Sequence, residues 1–224
     1  LEALEKSGSA GNTLVLFSSD NGFAPYSGAK ELEAHGHYPS GPLRGYKADV
    51  WEGGHRIPFI VRWPGVVKAG AVSGQLVHHA DLMATLAEIV EHSLPDNAGE
   101  DSFSFVPLLK GVDKPVRQHA ISHASSGIPS LRLGAWKFIA GAAGGGYDDK
   151  GKSKSPSSAA ATQLYNLADD LGETKNLVDE KPDLAAEMTA LMDKLVTEGR
   201  STPGAPQAND VPVKWRRFMD RAKP

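Results

Sequence analysis

The most constraining feature of the chain is a short apolar run, Thr13–Ser19, that ends directly at the polar triplet Asp20-Asn21-Gly22. The run is continuous and too short for a helix, a pattern typical of a strand buried on both faces, as in a parallel sheet. The preceding segment, Leu1–Gly8, has the composition of a helix that ends at a glycine. Helix, short loop and buried strand form an α/β unit, and ligands of such sheets bind at the carboxyl ends of the strands.

Further elements follow along the chain. The segment Ile57–Trp63 predicts a second strand, and helical spacing of apolar residues predicts a helix over Ala80–His92 with Asp81 as its cap. A later helix has Pro182 in its first turn and Gly199 as its stop. Four short segments joined by turns predict a small antiparallel sheet: Ala120–His123, Ser130–Leu133, Trp136–Ala140 and Gln163–Leu167.

These elements divide the chain into three portions. We expect residues 1–110 to belong to an α/β domain, residues 111–199 to form a small α+β subdomain, and the proline-containing residues 200–224 to be an extended tail. The segment Gly141–Ala161 consists mostly of Gly, Ala, Ser and Lys, which predicts a mobile surface loop. Because Leu1 lies inside a predicted helix, we expect a fragment of a longer protein, with a trimmed intact protein as the alternative.

Composition narrows the classes of function. Hydrophobic residues make up 40% and charged residues 23% of the chain, the balance of a globular protein with a core. With 24 Lys and Arg against 27 Asp and Glu, the net charge of −3 disfavours nucleic acid as a partner. The apolar runs are too short for a membrane span. The absence of cysteine excludes disulfides and thiolate chemistry within this chain and leaves the redox compartment undecided.

The polar residues near the first strand leave several interpretations open. Asp20 and Asn21 supply two adjacent oxygen donors, which form either part of a site for a hard cation such as Ca²⁺ or a turn that ends the strand. Arg44 and Lys47 lie in a glycine-rich loop and suit an anion such as sulfate or phosphate. The alternative for both cations is a solvated loop charge.

Other polar motifs are less specific. Two histidine pairs, His35 with His37 and His78 with His79, have a spacing that can bind a transition metal but also arises by chance. The acidic cluster Asp169-Asp170 with Glu173 predicts turn and cap chemistry after a strand. The chain has neither a G-x-S-x-G nucleophile motif nor a G-x-x-x-x-G-K-[ST] phosphate loop.

In their order and spacing, three motifs resemble the sulfatase family: Thr13–Gly22, then Gly41–Lys47, then Trp51–Pro58. Further matching segments extend the resemblance from residue 1 to about residue 199: Phe59–Gly65, Asp81–Leu86, Gln163–Leu167 and Glu173–Leu177. The resemblance implies an α/β fold, with an alkaline-phosphatase-like sheet portion followed by a small C-terminal antiparallel sheet with a packed helix. It also implies an arylsulfatase-like sulfuric ester hydrolase as the complete protein.

The family's nucleophile is a formylglycine made from a Cys or Ser in a C/S-x-P-x-R motif near the N-terminus of the full protein. We expect this motif to lie outside the chain. The resemblance therefore implies that this chain is the C-terminal portion of a sulfatase, with residues 1–110 in its catalytic domain. The upstream nucleophile and further metal ligands would come from the N-terminal portion of the same sulfatase, which becomes a required partner. The isolated chain is expected to be inactive.

Residue by residue, Asp20 and Asn21 match two calcium ligands of the family, and residues outside this chain complete that site. Lys47 matches the lysine that contacts the sulfate, and is expected to act in both binding and catalysis. His37 lies where substrate-contacting residues vary, which makes it a candidate for substrate binding. The implied substrate is a small-molecule or carbohydrate sulfate ester, and a periplasmic or secreted location is favoured by the resemblance alone.

Two alternatives remain from the sequence. A phosphatase or phosphodiesterase of the alkaline phosphatase superfamily would bind zinc through Asp and His, and is expected to have His where Asn21 stands. The other alternative is a non-catalytic folded fragment when the chain is isolated.

Overall fold

Short helices and two separate sheets make up the computed structural model, which describes residues 1–146 and 161–219. The described elements are, in chain order, α1 (Glu2–Lys6), β1 (Val15–Ser18), α2 (Ala29–Ala34), α3 (Glu52–His55), β2 (Phe59–Arg62), α4 (Asp81–Ile89), α5 (Val106–Leu109), β3 (His119–His123), β4 (Pro129–Leu133), β5 (Trp136–Ile139), β6 (Gln163–Asn166) and α6 (Pro182–Glu198).

The chain divides into two units, each built from separate segments. The first unit comprises Leu1–Ser18, Pro58–Gln118 and Thr197–Ala208, and the second comprises Ser19–Ile57, His119–Val196 and Asn209–Pro224. Within the described ranges, no helix is both long and apolar enough to cross a membrane.

In the first unit, β1 and β2 are strands where the sequence predicts them. They pair antiparallel, with Phe17 opposite Ile60, and these two side chains are 62% and 59% exposed. The expectation that β1 is buried on both faces of a parallel sheet is therefore wrong for the described residues. The physical reason is that a continuous apolar run indicates only that the strand can be buried. It does not indicate the direction of the strand's partners.

The helix predicted over residues 80–92 is α4, but Asp81 does not cap it. Asp81 is the first residue of α4 and is fully buried, and its Oδ1 lies 2.7 Å from Nη1 of Arg117. Its Oδ2 accepts a hydrogen bond from the backbone N–H of His78 at 2.7 Å. A buried carboxylate needs a charged partner, and the guanidinium supplies one.

The second unit contains an antiparallel sheet in the order β3-β4-β5-β6, which confirms the four predicted strands. One face of this sheet packs against α6. The core on that side consists of Leu131, Phe138, Ala140, Leu164, Ala185, Met188, Met192, Leu195 and Trp215. The last of these comes from a 3-10 turn, Trp215–Phe218, by which part of the predicted tail is packed into the core.

The opposite face of this sheet is also covered. Its core consists of Val50, Trp51, Ala124, Ile128, Ile139, Tyr165, Leu167 and Phe218. The backbone N–H of Val50 donates to the carbonyl of Gly144 at 2.8 Å, and the backbone N–H of Gly146 donates to Oδ1 of Asp49 at 3.2 Å. Residues 141–146 are therefore packed, unlike the predicted mobile loop, because glycines there let the backbone approach Trp51. The rest of that prediction, over residues 147–160, lies outside the described residues, as does the tail beyond residue 219.

Candidate active site

The polar turn after β1 rests directly on α3. The backbone N–H of Gly22 donates to the carbonyl of Gly54 at 2.9 Å. A Cβ atom at Gly22 would overlap the carbonyl oxygen of Gly53, so only glycine permits this approach. The contact fixes Asp20 and Asn21, the two residues that precede Gly22, next to the start of a neighbouring helix.

The glycine-rich loop is held on the same helix. The backbone N–H of Gly53 donates to the carbonyl of Arg44 at 2.8 Å, and a Cβ at Gly53 would overlap the carbonyl of Gly45. The backbone N–H of Lys47 donates to the carbonyl of Phe23 at 2.9 Å. Since Phe23 follows the Asp20-Asn21-Gly22 turn, Lys47 is tied to the segment that carries the two oxygen donors.

The side chains of this site are accessible. Asp20 is exposed, and Asn21 and Lys47 are half-buried. In the part of the chain that the structure describes, neither the Asp20 carboxylate nor the Asn21 amide has a side-chain hydrogen-bond partner. The Nζ of Lys47 lies 3.4 Å from the hydroxyl of Tyr26 and 5.8 Å from the centre of its ring.

Asp20 and Asn21 together fit one side of a calcium site. Both carry hard oxygen donors at one turn, and Ca²⁺ takes 6–8 oxygen ligands, so further ligands are needed. Among residues 1–146 and 161–219, no group of three or more His, Asp or Glu is arranged to hold a metal ion. The two donors could supply only part of such a site, and within these ranges neither histidine pair belongs to a group of three or more potential ligands.

His37 stands apart from these contacts. It follows α2, its backbone N–H donates to the carbonyl of Leu32 at 2.9 Å, and its side chain is exposed. The role of His37 in substrate binding stays a prediction. The same loop is ordered by Tyr46, which donates a hydrogen bond to Glu33 and packs edge-on against Phe23 at 6.2 Å. Burial, and then the charge of Glu33, raise the pKa of Tyr46 to about 12.

Sequence reasoning missed a buried ion cluster behind the site, which we call the buried trio: Lys137, Glu52 and Glu173. The Nζ of Lys137 lies 2.9 Å from Oε1 of Glu52 and 2.9 Å from Oε1 of Glu173. The side chains are 1%, 5% and 0% exposed. The prediction that Glu173 serves turn chemistry is wrong, whereas Asp170 does accept turn hydrogen bonds from the backbone of Thr174.

The pKa values of the two carboxylates in the trio shift in opposite directions. Burial alone would raise the pKa of Glu52, but the charge of Lys137, with those of His55 and Arg132, outweighs it and lowers this pKa to about 2. Burial raises the pKa of Glu173, because Lys137 compensates for only part of the lost hydration. Lys137 therefore stabilises the ionised form of Glu52 more effectively than that of Glu173.

Arg44 has a structural role. Its Nη1 donates to the carbonyl of Glu173 at 2.7 Å, and its guanidinium stacks on the ring of Trp51 at 3.9 Å. Residues Ser40–Arg44 also have the spacing S-x-P-x-R, the pattern of the family's nucleophile motif. Here the Ser40 hydroxyl donates to the carbonyl of Gly45 at 3.0 Å, so both ends of this stretch hold the loop.

Comparison with known proteins identifies the family of the chain. The family model described as Sulfatase matches residues 1–92. The N-acetylgalactosamine-6-O-sulfatase of Bacteroides thetaiotaomicron is 30% identical over 194 residues, which cover 83% of this chain and 37% of that protein. Human arylsulfatase A is 33% identical over 177 residues, which cover 74% of this chain and 33% of that protein.

Solved structures agree on the fold. A structure from Bacteroides thetaiotaomicron, described with the metabolism of multiple glycosaminoglycans, is 30% identical, with a TM-score of 0.77 over 87% of this chain and 41% of that one. The chain belongs to the sulfatase family, and its fold is the α/β, alkaline-phosphatase-like fold with a small antiparallel sheet. It spans 37% of the length of the Bacteroides relative named above and 33% of human arylsulfatase A.

Proposed function

We propose that this chain is the C-terminal part of a sulfuric ester hydrolase. In this proposal Asp20 and Asn21 supply two ligands to a calcium ion, and Lys47 binds the sulfate. The observation that carries the proposal is the hydrogen bond from the backbone N–H of Lys47 to Phe23, which ties the lysine to the turn with the two donors. Family membership supports the same assignment.

The chemistry of these groups suits a sulfate ester. A bound calcium ion would help neutralise an anionic substrate and the charge that develops in the transition state. The Lys47 ammonium would bind a sulfate oxygen and stay charged as the S–O bond breaks. The Tyr26 hydroxyl, 3.4 Å from Nζ, restricts the orientation of this ammonium.

Metal binding by the complete protein tests the ligand assignment. We expect Tb³⁺, a luminescent substitute for Ca²⁺, to bind the complete protein and to be displaced by Ca²⁺. Asp20→Ala should weaken this binding by at least about ten-fold, since a carboxylate ligand is lost. Asp210→Ala is the matched control, because Asp210 is also an exposed Asp beside an Asn. Equal binding by wild type and Asp20→Ala would overturn the assignment.

Activity tests the reaction. The complete protein should hydrolyse an aryl sulfate such as 4-nitrophenyl sulfate, and Lys47→Ala should lower kcat/KM by about 10²–10³-fold. Lys68→Ala, at an exposed lysine, should leave kcat/KM unchanged. Faster hydrolysis of the corresponding phosphate ester with Zn²⁺ would favour the phosphatase alternative. N-acetylgalactosamine-6-sulfate belongs in the same assay, because a relative of this chain carries that sugar sulfate in its name.

The isolated chain tests the source of the nucleophile. We propose that the formylglycine comes from an upstream Cys or Ser, so the isolated chain should not turn over an aryl sulfate. The motif-like stretch at Ser40 provides the critical control. Mass spectrometry should find Ser40 unmodified in the active complete protein. A formylglycine at Ser40, or turnover by the isolated chain, would contradict the upstream assignment.

A further inference from the structure

The buried trio places three ionisable side chains out of water. Lys137 lies on β5, on the sheet face that also carries the buried Ile139. Taking charged groups out of water costs several kcal/mol per ion, and buried ion pairs are often no more stabilising than apolar residues of the same volume. The gain from such a pair is defined geometry, because its hydrogen bonds are satisfied in one arrangement only.

The trio fixes α3 at both ends. Glu52 is the first residue of α3, and its backbone N–H donates to Oε2 of Glu173 at 2.6 Å while its side chain binds Lys137. His55 is the last residue of α3, and its Nε2 lies 3.1 Å from Nζ of Lys137 and 2.9 Å from the carbonyl of Val50. A four-residue helix has little stability of its own, so these contacts determine where it lies.

The middle of α3 carries the candidate active site. Gly54 accepts the hydrogen bond from Gly22, and Gly53 donates to the loop that contains Lys47. These contacts join main-chain atoms at van der Waals limits, so a shift of α3 has to move the turn and the loop as well.

We propose that the buried trio is a positioning device for the site, with Lys137 as its central positioning residue. The trio sets the location of α3, and α3 sets the location of the turn with Asp20 and Asn21 and of the loop with Lys47. The proposal rests on the proposed function only for what the positioned residues bind. The placement itself is independent of any ligand.

Amide hydrogen exchange measured by NMR on this chain tests the placement. In Lys137→Met, the amides of Gly22 and Lys47 should exchange at least about ten-fold faster, because the backbone bonds that protect them open locally. The amides of Ala140 and Leu167, whose hydrogen bonds to Pro129 and Ala135 are 3.0 and 2.8 Å long, should exchange no faster than global unfolding of the same variant allows, as measured by chemical denaturation. Lys175→Met, at an exposed lysine paired with Glu180, should change none of these amides.

A second variant keeps the test decisive if Lys137→Met does not fold. Glu173→Gln keeps the size and an acceptor oxygen and removes the charge, and we expect the same selective loss at Gly22 and Lys47 with a smaller factor. The positioning role would be overturned if Gly22 and Lys47 exchanged only through global unfolding, as the sheet amides do, or if their exchange did not change. Exchange reports placement and Tb³⁺ binding reports ligands, so a failure of this proposal is distinguishable from a failure of the proposed function.

Discussion

Two sets of charged and polar residues in the second unit differ in burial and in partners. The candidate site residues Asp20 and Lys47 are exposed or half-buried, and the Lys47 ammonium lies 3.4 Å from the hydroxyl of Tyr26. Lys137 and Glu52, in contrast, are at most 5% exposed and lie 2.9 Å apart. We therefore expect the accessible residues of the candidate site to contribute little to stability, and loss of a member of the buried trio to destabilise the chain.

The largest loss of stability is expected when the buried trio is disrupted. Lys137→Met should lower the free energy of unfolding by about 3–5 kcal/mol, because it leaves two carboxylates buried without their common partner. Chemical denaturation of this chain measures the change. Lys175→Met is the matched control at 66% exposure, and should cost less than about 1 kcal/mol. Equal effects of the two substitutions would remove the distinction between buried and exposed charges.

The second-largest effect is expected from acid, which should weaken the buried trio. The pKa of Glu52 is about 2 in the folded chain against an ordinary 4.5, so ionised Glu52 favours folding. This contribution is complete above about pH 4.5 and is lost as the pH falls towards 2, and amounts to about 3 kcal/mol. Glu173 has a raised pKa and acts in the opposite sense, so the measurement is the difference in unfolding free energy between wild type and Glu52→Gln across this pH range. A difference that does not change with pH would contradict the assignment.

An intermediate loss of stability is expected when the contact between α3 and the Lys47 loop is altered. Gly53→Ala places a Cβ against the carbonyl of Gly45 and should cost about 1–3 kcal/mol through overpacking. Gly11→Ala is the control, since a Cβ there meets no atom within 4 Å. Thermal unfolding of the two variants compares them. A Gly53→Ala variant as stable as wild type would show that α3 can move away from the loop.

The smallest effect is expected at the site itself. Asp20→Ala and Lys47→Ala should each change the free energy of unfolding by less than about 0.5 kcal/mol, since neither removes a buried partner. The same variants are expected to lose Tb³⁺ binding and activity, respectively. A loss of stability above about 2 kcal/mol in either variant would mean that the residue belongs to the scaffold.

Much of the fold was predictable because strands with turns between them have local signatures. All four strands of the second sheet lie within one residue of the segments predicted for them, and α6 begins at the predicted Pro182. The pairing of β1 with β2 was not predictable, because direction depends on partners distant in the chain. The helix α3 was missed for a related reason: two of its four residues are glycines, so tertiary contacts and not helix propensity form it.

The site was predictable only in part. Asp20, Asn21 and Lys47 stand in motifs whose order resembles a family, whereas Lys137 has no motif. A lysine between Trp136 and Phe138 in an alternating strand suggests an outward, solvated position. The second sheet is covered on both faces, so that position is buried and needs Glu52 and Glu173, which lie 85 and 36 residues away in sequence.

The glycine contacts of α3 also bear on how far the neighbouring sequence can vary. The turn, the loop and α3 meet through main-chain atoms, which hold the backbone at Asp20 and Lys47. The side chains of Tyr26, Glu33 and Ser40 in the intervening stretch also contact the loop. That stretch presents exposed Tyr26, His37 and Tyr38. Sequence changes elsewhere in this stretch, at exposed positions such as Tyr38, are therefore expected to leave the backbone of Asp20 and Lys47 in place.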